Sequence, residues 1–307
     1  MKIQNTKGNR KYSIYLGIAG LIVGLSFSVL FIVNEETQNR LTKEDGFFES
    51  VGAVGWLIAS IAFFISFWKD KRGNNLIFLI TRRNLVFLLL SIFSFVACGE
   101  EISWGQRIFK LQTPEFLMKI NRQGETNLHN IVFIRSRDRD NKDLPFWARM
   151  LSMTKFFQVS WFAYCILLPL ACMFSRRTYY FIRNLNIPLV PIMLSVVFLA
   201  NYLISRIIPF VYNTNGNLND HYFVEVKECN FGILFMLVSF YFLQSMATNE
   251  TLSDWISHSR YELPGQLTLA EYQCPSQALT YNMFYETKSI QTPADLNKNQ
   301  KATSQIF

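Results

Sequence analysis

The stretch YSIYLGIAGLIVGLSFSVLFIV, residues 12–33, runs for 22 residues without a charged side chain. At about 1.5 Å of rise per residue, a helix of that length crosses the ~30 Å hydrocarbon core of a bilayer. The stretch is longer than the apolar region of a secretory leader, and no small-residue cleavage site precedes Asn34, so it reads as a retained span. Five further apolar blocks follow at 51–68, 85–99, 156–175, 188–212 and 231–247. The block at 85–99 is short unless its helix continues past Gly99. The expected fold is therefore an all-α membrane protein, a bundle of about six transmembrane helices.

Composition points the same way. Of the 307 residues, 50% are hydrophobic, 29 are Phe and only 17% are charged, whereas soluble domains carry about a quarter charged residues. Apolar content this high excludes a disordered chain, and five Cys are too few for a disulfide scaffold. The formal charge of +8 raises the question of a nucleic-acid partner. Its placement answers it. With the N-terminus inside, the inner segments hold Lys2, Lys7, Arg10 and Lys11, then Lys69, Lys71, Arg72, Arg82 and Arg83, then Arg176, Arg177 and Arg183. The short outer loops hold only Arg40, Lys43 and Lys227. Segment 100–155 carries ten Lys and Arg and would lie outside, but long segments translocate with less regard to charge. Its run 135–142 alternates basic residues with Asp138 and Asp140, which suits a solvated loop and not a nucleic-acid patch.

The resulting division is a cytoplasmic N-terminus at 1–11 and a six-span domain at 12–247. That domain includes the extracytoplasmic segment 100–155, whose pieces around Thr113-Pro114-Glu115 and Pro145-Phe146-Trp147 read as interfacial helices. Residues 248–307, rich in Asn, Gln, Ser and Thr, read as a disordered cytoplasmic tail. No internal repeat, phosphate-cradling Gly-rich loop or Gly-x-Ser-x-Gly string is present.

This topology sends four polar clusters to the outer face, and carboxylates at the edge of hydrocarbon are functional candidates by default. Thr42 and Asp45 have capping-box spacing, so Glu44 and Asp45 read as helix caps. Glu49 lies a turn deeper, where capping does not explain it. Glu100 and Glu101 end the third block. If that helix runs on to about Arg107 or Lys110, then Glu100, Ser103, Trp104 and Arg107 share one face. The structural alternative is a pair of ion pairs, Glu100–Arg107 and Glu101–Arg206, since Arg206 inside the fifth span needs a partner. Glu125 precedes His129 by four residues, and His221 precedes Glu225 by four. Carboxylate and imidazole together suit a divalent metal ion, so His129, Glu125, His221 and Glu225 are the candidate ligands, although their spacing matches no standard ligand motif. Cys98 and Cys229 fall near outer helix ends, where a disulfide is geometrically feasible, whereas Cys165 and Cys172 read as packing.

Three strings carry a resemblance: Glu44-Asp45-Gly46 with Glu49, Gly99-Glu100-Glu101-Ile102-Ser103-Trp104-Gly105-Gln106-Arg107, and Gln123-Gly124-Glu125-Thr126-Asn127-Leu128-His129-Asn130. Through them residues 41–244 resemble a family of uncharacterised bacterial multi-pass membrane proteins. The resemblance implies a protein of the bacterial cytoplasmic membrane and brings no activity with it. Three functions remain in view. One is an enzyme acting on a lipid or lipid-linked substrate, with Glu49, Glu100, Glu101, Glu125 and His129 as catalytic candidates and Trp104, Arg107 and Arg206 as substrate contacts. Another is an ion- or proton-coupled transporter. The third is a non-catalytic membrane assembly or sensor protein.

Overall fold

The computed structural model of the chain describes residues 6–43, 45–70, 83–121, 126–127, 153–212 and 220–247. Every regular element among them is helical. In chain order they are α1 (Thr6–Ile32), α2 (Glu35–Thr42), α3 (Phe47–Lys69), α4 (Leu85–Glu101), α5 (Gln106–Phe109), α6 (Glu115–Ile120), α7 (Met153–Phe162), α8 (Leu168–Phe174), α9 (Arg176–Asn184), α10 (Ile192–Tyr212) and α11 (Asp220–Ala247). A π-helical turn, Ala163–Leu167, joins α7 to α8, just ahead of Pro169. The expected tail at 248–307 lies outside the described residues.

The chain is an all-α membrane protein. Five stretches that the described residues cover are long and apolar enough to cross a bilayer: Ser13–Ile32, Glu35–Lys69 (which takes in α2 and α3), Lys155–Phe174, Ile192–Val211 and Asp220–Met246. The expected block at 85–99 becomes α4, whose 17 residues make it shorter than these. It extends only two residues past Gly99 and does not run on to Arg107 or Lys110 as expected. Even so, α4 lies antiparallel to α3 along its length. At one end Arg83 stacks 3.6 Å over the Trp68 ring, and at the other Glu101 comes close to Glu49. Between them Ser60 and Ser91 each donate to the other's backbone carbonyl at 2.9 Å. Inside a bilayer, where apolar contact alone gives helices little reason to associate, such hydrogen bonds and close packing supply the cohesion.

Helices α3 and α11 approach most closely through glycine. A Cβ at Gly52 would sit 2.9 Å from Cys229 Cα, and one at Gly55 would sit 2.8 Å from the Gly232 carbonyl carbon. A Cβ at Gly232 would strike the Gly52 carbonyl oxygen. Small residues thus let two backbones touch. Around this contact lies an aromatic core in which Trp56 meets Phe235 at 4.8 Å, Trp161 meets Phe231 at 4.7 Å and Phe93 stacks on Phe157 at 5.3 Å. The outward side chains of the long helices, Leu21, Ile61, Leu89 and Val196 among them, are large, apolar and exposed, which fits a lipid-facing surface.

Hydrogen bonds give each helix a direction. Tyr15 of α1 donates to Gln244 of α11 at 3.2 Å, and Asn230 of α11 donates to Ser26 of α1 at 2.8 Å, so these helices are antiparallel. The start of α3, the end of α4 and the start of α11 therefore meet at one end of the bundle. The Lys69 end of α3 and the Arg83 end of α4 meet at the other.

Candidate functional site

At the first of these ends α3 begins on Gly46, which follows Asp45 in a left-handed conformation at φ 58°. A Cβ at Gly46 would lie 2.5 Å from the Lys43 carbonyl oxygen, so the turn from α2 into α3 requires glycine. The Asp45 N–H then donates to Glu49 Oε2 at 2.6 Å. Glu49 therefore does cap its helix, contrary to the expectation that capping would not explain it. Thr42 is no capping-box partner of Asp45: it ends α2 and donates its hydroxyl to the Gln38 carbonyl at 2.9 Å. Glu44 lies outside the described residues.

Beyond Glu101 the chain breaks its helix. Ser103, Trp104 and Gly105 follow one another in the left-handed region, at φ 46°, 54° and 76°. For Ser and Trp this costs about 1–3 kcal/mol each, and it persists only where surrounding contacts hold it. Those contacts come from the Thr126-Asn127 stretch. Thr126 donates its hydroxyl to the Ser103 carbonyl and its N–H to Gln106 Oε1 at 2.8 Å. Asn127 Nδ2 donates to Ser103 Oγ at 3.3 Å, and Asn121 Nδ2 holds the Asn127 carbonyl at 2.8 Å. Gln106 Nε2 reaches the Thr113 hydroxyl. Ser103, Thr113, Asn121 and Asn127 are all buried. The Ser103 turn and the Thr126-Asn127 stretch are thus two halves of one hydrogen-bonded knot.

The turn sends the adjacent carboxylates to different neighbours. Glu100 accepts from Trp104 Nε1 at 2.8 Å, with the indole lying over Gly99 and edge-on to exposed Phe95 at 6.2 Å. Glu101 faces the bundle, where Glu228, Glu225, Glu49 and Lys227 are all near enough to act on its charge. It is also close to the thiols of Cys98 and Cys229. Both cysteines are buried and free, so the feasible disulfide between them is not formed.

The rest of the cluster sits on α11, which starts well before the expected block at 231–247. Residues His221, Glu225 and Glu228 are helical and share a face at i, i+4, i+7. His221 Nδ1 lies 3.3 Å from Glu225 Oε1, with the imidazole exposed. Lys227, expected in an outer loop, is instead 6% exposed within the helix, its Nζ 3.1 Å from Glu228 Oε1. Its carbonyl accepts from Asn201 Nδ2 at 3.1 Å, and Asn230 Nδ2 donates to Asn201 Oδ1 at 2.9 Å. Sequence reasoning places Lys227 in an outer loop and gives Asn201 and Asn230 no part in the site. The available signal was the stripe Phe223, Lys227, Asn230, Leu234, whose spacing marks one buried helix face.

The remaining candidates separate from this group. Arg206 is exposed on α10, its guanidinium 5.8 Å from the Tyr202 ring, and Lys227 is the cation beside Glu101. The expected Glu101–Arg206 pair is not formed, because Arg206 points away from the helix face that Asn201 presents to α11. Arg107 lies on the backbone of α5, its side chain outside the description. Glu125 and His129 also lie outside the described residues. Among the described residues no three His, Cys, Asp or Glu side chains group as a metal site, and of the expected metal set only His221 and Glu225 lie among those residues.

No family model, no curated protein and no solved structure matches the chain.

Proposed function

We propose that the chain is an enzyme of the bacterial cytoplasmic membrane acting on a lipid or lipid-linked substrate at the extracytoplasmic face. One observation carries this reading: Glu101 is gathered with Glu49, Glu225, Glu228 and Lys227 at one end of a membrane bundle. Several carboxylates and one buried ammonium gathered around Glu101 can divide the tasks of acid and base among them. Glu101 is the base that takes the proton of an attacking water or hydroxyl. A neighbouring carboxyl, Glu228 or Glu225, returns a proton to the leaving oxygen. His221, bonded to Glu225 and open to water, exchanges protons with the solvent. Lys227 holds Glu228 and offers a positive charge to an anionic group.

Lipid is the substrate class because of the surroundings. Trp104, 40% exposed, and exposed Phe95 stand beside the turn, and exposed Ile108, Phe109, Leu111 and Phe116 follow it. Such side chains suit the headgroup boundary. The orientation rests on charge: Lys69, Arg83, Arg176, Arg177 and Arg183 gather at the opposite end, which the positive-inside rule assigns to the cytoplasm. The test is to reconstitute the full chain in nanodiscs with bacterial lipid extract and follow the lipids by mass spectrometry. Wild type converts a lipid and Glu101→Gln does not; identical lipid profiles for the two count against the proposal.

A second reading, a proton- or cation-coupled carrier, draws on the row Lys227, Asn201, Asn230 and Ser26 that leads inward from the cluster. Asn230 is fully buried, and its Oδ1 has no partner among the described residues. Proton uptake by proteoliposomes under an imposed gradient, abolished by Asn230→Leu, would favour it over the enzyme.

A further inference from the structure

At the end of the bundle opposite the acidic cluster, the chain leaves α8 through Ser175, whose hydroxyl oxygen accepts from the Thr178 N–H at 3.2 Å and starts α9. This nine-residue helix, RRTYYFIRN, holds three arginines and no acidic residue. It is pinned to the bundle on one side only. Ile182 is buried, and just beyond the helix Asn84 Nδ2, at the start of α4, donates to the Asn186 carbonyl at 2.6 Å. The buried Ile182 and the helical spacing divide the remaining surface. Phe181 and Leu185, four apart, form one flank and are exposed at 61% and 44%. Arg176 and Arg183, seven apart, form the opposite flank, and both are exposed. Arg177 and Tyr180, also exposed, lie between the flanks, away from Ile182.

A short helix with an apolar flank, a cationic flank and an aromatic between them matches the boundary between acyl chains and headgroups, with its axis in the membrane plane. Phe181 and Leu185 would enter the acyl region, Tyr180 would lie among the headgroups, and the arginine stems would reach along the boundary. Among the described residues no carboxylate pairs with Arg176, Arg177 or Arg183. Arg83 and exposed Lys69 add positive charge at the same end of the bundle. Guanidinium groups suit phosphate because their planar donors bind its oxygens in pairs.

We infer that α9 is an in-plane binding site for anionic phospholipid headgroups, with Arg176, Arg177 and Arg183 as the phosphate contacts and Phe181 and Leu185 as the acyl contacts. The inference is independent of the enzyme reading, because α9 touches none of the acidic-cluster residues.

The test uses the full chain in mild detergent, with lipid binding read by native mass spectrometry. Wild type should bind phosphatidylglycerol more tightly than phosphatidylcholine by roughly a hundredfold. Each arginine removed should reduce that preference by roughly fivefold, so R176Q/R177Q/R183Q binds both lipids alike. R176K/R177K/R183K should keep most of the preference, and equal melting of the three proteins in phosphatidylcholine shows that the fold is intact. Inorganic phosphate at millimolar concentration should not displace the lipid, because the acyl contacts are part of the site. Equal binding of both lipids by wild type, a preference retained by the Gln variant, or displacement by phosphate would each overturn the inference.

Discussion

Trp104 Nε1 donates to Glu100 Oε1 at 2.8 Å, and this bond separates the tasks of two adjacent carboxylates. Glu100 holds an aromatic side chain beside the lipid-facing Phe95. Glu101, one residue on, faces the three glutamates and the lysine of the bundle end. A short left-handed turn, fixed by hydrogen bonds from Thr126 and Asn127, produces the separation.

That turn leans on Gly99. A Cβ there would lie 2.9–3.0 Å from three atoms of the Trp104 ring, so Gly99→Ala must displace the indole. The expected cost is about 1–3 kcal/mol, as for other overpacked sites. Lower thermal stability in detergent, together with a shift in tryptophan emission, would register it.

The knot itself should carry measurable energy. Asn127 is buried and touches both Ser103 and Asn121. Asn127→Ala removes these bonds and leaves polar partners behind, a loss of about 1–3 kcal/mol. With Ser103 and Trp104 released from their left-handed turn, proteolysis in the 105–125 region should become faster while the long helices stay protected.

Lys227 and Glu228 should behave as a coupled pair. Lys227→Met strands Glu228 beside Glu101, and because Glu228 is 39% exposed the loss is set at about 2 kcal/mol, below that of a fully buried pair. The double variant Lys227→Met with Glu228→Gln should recover more than half of it. Denaturation of all four members of the cycle gives the coupling directly.

The glycine contact sets the distance between α3 and α11. Gly232→Ala directs a methyl group at the Gly52 carbonyl oxygen, which is backbone and cannot swing aside. Gly24→Ala in α1 meets nothing within 4 Å. The first should lose about 3 kcal/mol or more and the second almost nothing, a contrast that melting curves would show.

Much of this arrangement was legible in the residues themselves. Long uninterrupted apolar blocks such as 12–33 announce their helices, because the bilayer demands length and little else. The gathering of Glu49, Glu101 and Glu225 at one end follows from counting spans. The turn at Ser103 was hidden, since neither Ser nor Trp favours left-handed backbone and the bonds that impose it come from 20 or more residues away. The start of α11 was hidden for another reason. Its first turns alternate charged residues with buried Phe223 and Val226, and the charges masked an apolar stripe already in progress. Glu49 reads as too deep to cap when the capping box is placed at Thr42 and Asp45, whereas the helix starts at Gly46.

The central claim is that Glu101, and not its neighbour, is the working carboxylate of a lipid-directed site. The most direct measurement compares wild type, Glu101→Gln and Glu100→Gln in nanodiscs of bacterial lipid extract, with lipid products followed by mass spectrometry. The account predicts product from wild type and from Glu100→Gln, whose amide oxygen can still accept from Trp104. It predicts a loss of at least about a hundredfold in Glu101→Gln, the lower range for removing a general base. A Glu101→Gln protein as active as wild type, or a wild type that changes no lipid, would contradict it.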